Sequence, residues 1–104
     1  MIDLRAHLEG LVGREIRTLT GNRPNRILRI ESDNVIVGTE KSPAGTPVPI
    51  QWVMDGVEAL MRQGTVVVDV ESLGYRGAFI GAVLATLLGT VVEQTVPRRV
   101  SLHH

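Results

Sequence analysis

A chain of 104 residues is long enough for one compact domain and too short for two. With 43% apolar residues, 21% charged residues and a formal net charge of zero, it is neither a disordered tail, a low-complexity chain nor a uniformly basic nucleic-acid coat. It contains no cysteine, which excludes disulfides, cysteine nucleophiles and thiolate zinc sites and fits a cytoplasmic location.

Leu4, Leu8, Leu11 and Val12 recur at i, i+4, i+7 and i+8, predicting an amphipathic helix over residues 2–12 that opens at Asp3 and stops at Gly13. From Arg14 the period changes. Residues 15–20 read as a strand and Gly21-Asn22-Arg23-Pro24-Asn25 as a turn, with Pro24 outside regular pairing because it has no N–H. Residues 26–30 and 34–39 predict two further strands, joined by a tight turn at residues 31–34. Two prolines and a glycine make residues 41–47 a loop, and Pro49 suits the first position of a helix. Ile50, Val53, Met54, Val57, Leu60 and Met61 carry that helix to about Gln63, and Gly64 ends it. Alternating valines predict a fourth strand over residues 65–71, then a turn at residues 72–75. A third helix over residues 76–88 is apolar on nearly every side, the pattern of a helix buried all round. Val91-Val92 reads as a last short strand and residues 94–104 as a tail, leaving a core of about residues 2–93. The order α-β-β-β-α-β-α predicts a single α+β domain, a small antiparallel sheet with three helices.

The longest apolar run, residues 78–88, is 11 long and interrupted by Gly81 and Thr86, against about 20 for a bilayer span. No signal-peptide pattern follows Met1. These features predict a soluble, cytoplasmic protein with no membrane partner. His7, His103 and His104 are the only histidines, and no HExxH, GxSxG, GxGxxG or P-loop pattern occurs. Asp69 and Glu71 share a strand face and read as a solvated edge. The expectation is a protein that is not an enzyme and uses no cofactor or metal.

The zero net charge hides an uneven distribution. Arg14, Arg17, Arg23, Arg26 and Arg29 fall between residues 14 and 30 beside a single acid, Glu15, whereas residues 31–40 hold three acids and no base. Strand alternation puts Arg17 on the opposite face from Arg14, so three or four arginines converge near the hairpin end. Lys41 and Arg76 from neighbouring loops complete a basic patch there. The same arginines also suit a purely structural role, pairing with Glu15, Glu31, Asp33 and Glu40 across a solvated sheet. What favours a ligand is Arg23 in its Gly-Asn-Arg-Pro-Asn loop, because arginine binds phosphate and guanine edges bidentately. Ser72 and Tyr75 precede the third helix, whose first N–H groups lack partners, yet they equally suit a cap and a packing residue. Trp52 lies off the main apolar stripe of its helix, where it either completes the core flank or offers a platform for a base.

Three blocks carry a family resemblance: Arg23-Pro24-Asn25-Arg26-Ile27; Ser42-Pro43-Ala44-Gly45 with Val48-Pro49-Ile50; and Gly74-Tyr75-Arg76-Gly77-Ala78-Phe79-Ile80-Gly81-Ala82-Val83-Leu84-Ala85-Thr86-Leu87. Over about residues 14–90 the chain resembles the N-terminal domain of actinobacterial McrA-like HNH restriction endonucleases, which also occurs as a small free-standing protein. Gly77 stands where that pattern has serine, and Leu88 where it has proline. The resemblance implies a reader of 5-methylcytosine in double-stranded DNA, the targeting half of a methylation-dependent restriction system. The nuclease half has no counterpart here. Arg17, Arg23 and Arg26 would hold phosphates, with Asn25, Lys41, Ser42 and Arg76 completing the DNA-binding set. Trp52, Ser72 and Tyr75 would form a modified-base pocket, with an aromatic face for a flipped base. Two other expectations stand beside it: a protein-interaction or homodimerisation module built on the apolar helices and a free sheet edge, and a small-ligand sensor using the loop after Thr39.

Overall fold

The computed structural model describes residues 3–19, 21–68, 76–87, 89–93 and 98–102. The Asp3 carboxylate accepts a hydrogen bond from the Ala6 N–H at 3.1 Å and starts α1 (Leu4–Leu11), while Gly13, at φ +84°, takes the left-handed turn that ends it. Next come β1 (Glu15–Arg17), β2 (Pro24–Glu31), β3 (Asn34–Thr39) and β4 (Thr46–Pro49). Helix α2 (Ile50–Gln63) leads into β5 (Thr65–Val67), and α3 (Gly77–Leu84), β6 (Thr90–Glu93) and β7 (Arg99–Leu102) complete the order. All pairing is antiparallel, in a four-stranded sheet β1-β2-β3-β4 and a three-stranded sheet β5-β7-β6. The class is α+β, and the predicted α-β-β-β-α-β-α order stands with strands added to it.

The additions have local causes. Thr46–Pro49, expected to be loop and helix start, pairs with β3 as an edge strand. Bonding direction alternates along a strand, so Pro47 and Pro49, two apart, leave their missing N–H groups on the open edge. The Ile50 N–H can then donate to the Asp33 carbonyl at 2.8 Å, and α2 begins one residue later than expected. Pro24 does lie within the pairing, opposite Arg17, because it is the first residue of its strand. Strand β1 stops at Arg17, where the Thr18 N–H donates to the Arg23 carbonyl at 3.0 Å and closes the loop. Helix α3 is shorter than predicted, since Thr86 and Leu87 donate to Val83 and Leu84 in tight turns beyond its end. Residues 69–75, which include Asp69 and Glu71, lie outside the described residues. The tail is corrected as well: β7 is the central strand of the second sheet, Val100 is fully buried, and Ser101 donates to the Thr65 hydroxyl at 2.8 Å.

One core joins the two sheets. Leu4 and Leu8 of α1, Ile27, Val35, Val37 and Val48 of the first sheet, Val53, Val57 and Leu60 of α2, and Ile80, Val83 and Leu84 of α3 meet Val66 and Val100 of the second. Gly81 packs directly on Val68, where a Cβ would fall 2.5 Å from a valine methyl. On the other face of β2 and β3, a bulge between Ile27 and Arg29 shifts the register beside Leu28. There Gly45, at φ +98°, has room only for hydrogen, since a Cβ would fall 2.5 Å from Ile36 Cγ2 and 2.9 Å from Leu28 Cδ1. This contact seats the β3–β4 loop against the sheet and fixes where Glu40 and Lys41 stand.

Candidate nucleic-acid interface

Three separate segments meet at the end of the first sheet: the β1–β2 loop, the β3–β4 loop and the start of α3. Between them lies an open cleft of about 460 Å³, within the roughly 300–1,000 Å³ usual for ligand sites. The β1–β2 loop is tightly held. Thr18 accepts from the Arg23 N–H through its hydroxyl (2.9 Å) and from the Asn22 N–H through its carbonyl (2.9 Å), and Asn22 adopts φ +49°. These bonds anchor the backbone of Asn22 and Arg23 to Thr18 while the Arg23 side chain extends over Gly21 into the cleft. Opposite, Ser42 donates its N–H to the Thr39 hydroxyl at 3.1 Å, and its carbonyl accepts from Thr39 (3.2 Å) and Gly45 (3.0 Å). Arg76, the residue before α3, donates to the Thr46 hydroxyl at 3.3 Å, tying the helix start to β4.

Of the predicted DNA-binding residues, Arg23, Asn25, Lys41 and Arg76 line this cleft together. Neither Arg23 nor Lys41 has a side-chain hydrogen bond or ion pair among the described residues. The remaining candidates stand elsewhere. Arg17 pairs with Glu15 at 3.3 Å and donates to the Asn22 carbonyl at 3.0 Å, so it braces the loop from outside the cleft. Arg26 donates to the Gly13 carbonyl at 2.7 Å and lines a second cavity of about 240 Å³. Arg29 pairs with Glu31 at 2.6 Å, and Arg5 with Asp33 at 3.4 Å. Arg17 and Arg29 thus each pair with an acid two residues away on their own strand, and not across the sheet as expected.

Ser42 lines neither cavity; it organises its loop through backbone groups. Trp52 is 42% exposed on α2 and lines neither of these two cavities. Ser72 and Tyr75 lie outside the described residues. Sequence reasoning missed Thr18, Thr39, Glu40 and Phe79, all of which line the cleft. Phe79, in the first turn of α3, backs the cleft but turns almost none of its surface to it. Its sequence position was a signal, three residues after Arg76, but helical periodicity assigned it wholly to the core, where it is indeed 2% exposed.

No family model, no curated protein and no solved structure matches the chain. The site therefore rests on its own chemistry. Three cations face one carboxylate, Glu40, and the positive end of the α3 dipole adds to them, so the cleft attracts anions. Among the described residues no cluster of His, Asp and Glu suits a metal ion, and no helix is long and apolar enough to cross a membrane. His7 has a structural partner: its Nε2 lies 2.8 Å from the Thr86 hydroxyl, which itself donates to the Val83 carbonyl at 2.6 Å. The histidine nitrogen is then the donor, and the contact ties α1 to the end of α3.

Proposed function

We propose that this chain is a non-enzymatic reader of 5-methylcytosine in duplex DNA, acting in the cytoplasm. The observation that carries the reading is the convergence of Arg23, Lys41 and Arg76, from three segments, on one cleft. Two of these cations lack partners among the described residues, which leaves their charge available to phosphates. The modified base comes from the family resemblance of residues 23–27, 42–45 with 48–50, and 74–87. The cleft's volume suits a base turned out of the stack.

Gel mobility shifts with matched methylated and unmethylated duplexes test the reading. Methylated DNA binds more tightly, and three phosphate contacts give a slope of log K against log salt of about −2.7. Equal affinity for both duplexes, or a flat salt response, overturns it. 2-Aminopurine next to the modified base brightens on binding if the base flips. A dimerisation module remains a second reading, favoured by half-exposed Val91 on the edge strand β6. The apolar α3 gives it no support, because Phe79 to Leu84 are buried within the chain itself. Light scattering with and without DNA separates the two.

A further inference from the structure

Glu40 is out of place in a site for phosphates alone. Its side chain is exposed and lines both the large cleft and the neighbouring 240 Å³ cavity, yet it forms no ion pair among the described residues. An ionised carboxylate only accepts hydrogen bonds, and it repels phosphate. A ligand that carries a hydrogen-bond donor beside its anionic groups complements both Glu40 and the surrounding cations. On the edge of cytosine the donor is the N4 amine, and position 5 is its immediate neighbour. Beyond Glu40, the smaller cavity is walled by Leu28 and Pro43, apolar groups suited to a methyl.

We propose that Glu40 determines specificity in this reader by accepting the N4 amine of 5-methylcytosine while Leu28 and Pro43 receive the methyl group. Thymine carries the same methyl but offers an acceptor, O4, where cytosine has its amine. It would set lone pairs against the carboxylate. Cations explain affinity, the apolar wall explains preference for a methyl, and Glu40 separates the two methylated pyrimidines. The inference rests on the 5-methylcytosine reading.

Fluorescence anisotropy with the full chain tests it, on duplexes carrying 5-methylcytosine, cytosine or thymine at one position, always opposite guanine. A mispaired thymine leaves the stack more easily than a paired cytosine, so this design works against the expected result. The wild type favours 5-methylcytosine over thymine by about tenfold or more. Glu40→Gln, whose amide both donates and accepts, brings that ratio below about threefold, keeps the preference for 5-methylcytosine over cytosine, and binds every duplex more tightly because a negative charge has gone. Leu28→Val narrows the methyl preference and leaves the thymine ratio unchanged. An unchanged thymine ratio in Glu40→Gln overturns the role of Glu40 and leaves the reader intact. General loss of binding in that variant also overturns it, since removing a carboxylate does not weaken attraction to phosphate. A wild type with no methyl preference refutes the reader and this inference together.

Discussion

Gly45→Ala is the most informative single change, because Gly45 both covers the sheet and carries the loop that bears Glu40 and Lys41. Two costs apply. The first is conformational: φ +98° is poorly tolerated by a residue with a Cβ, at about 1 kcal/mol. The second is steric. The new methyl would sit 2.5 Å from Ile36 Cγ2, a branch fixed close to the backbone, and 2.9 Å from Leu28 Cδ1. Overpacking of this kind costs roughly 1–3 kcal/mol, so the total is about 3 kcal/mol. Gly13→Ala isolates the first cost, because its φ is +84° and nothing lies within 4 Å of the added carbon. With an m-value of about 1.5 kcal/mol/M, urea midpoints fall by about 2 M for Gly45→Ala and about 0.7 M for Gly13→Ala. DNA affinity drops only in the first variant, whose loop must shift. Equal midpoints for the two variants would refute the steric account of the loop's seat on Ile36.

Arg23→Ala weakens binding to methylated and unmethylated duplexes alike, and titrations at several salt concentrations show the slope shallower by about 0.9. Gly81→Ala drives a methyl into Val68 and lowers the melting temperature, and adding Val68→Ala recovers part of the loss, read as a non-zero coupling in a double-mutant cycle. Asp3→Ala removes the cap on α1 and costs about 1 kcal/mol by urea denaturation, with DNA binding unchanged.

Local rules made much of the fold legible. Leu4, Leu8 and Leu11 marked α1 because its core-facing stripe follows the helical period, and Gly13 and Gly64 marked helix ends because both take positive φ. Four-residue β4 and β7 escaped for different reasons. In β4 the two prolines looked like loop chemistry, and only the knowledge that the strand lies at an edge makes them compatible with pairing. In β7 the run Arg-Val-Ser-Leu is too short for a period to register, and its role follows wholly from partners distant in sequence. The candidate site divided in the same way. Arg23 stood out by its loop, whereas the difference between Arg17 and Arg23 is a matter of which acid lies within reach, and Glu15 answers it from two residues away. Phe79 and Glu40 were hidden because periodicity gives each residue one face, while a cleft between three segments draws on the margins of several.

The placement of β7 between β5 and β6 sets an order of events during synthesis. Both outer strands leave the ribosome before the strand that joins them, so for an interval each has an unpaired edge and Val66 lacks the cover of Val100. Unpaired edges of this kind invite association between nascent chains. The first sheet has no such delay, since β1 to β4 pair in the order in which they are made. The loops that carry Arg23 and Lys41 can therefore be in place before the helix bearing Phe79, which follows them in the chain, docks on α2 and β1, so completion of the cleft comes after the first sheet.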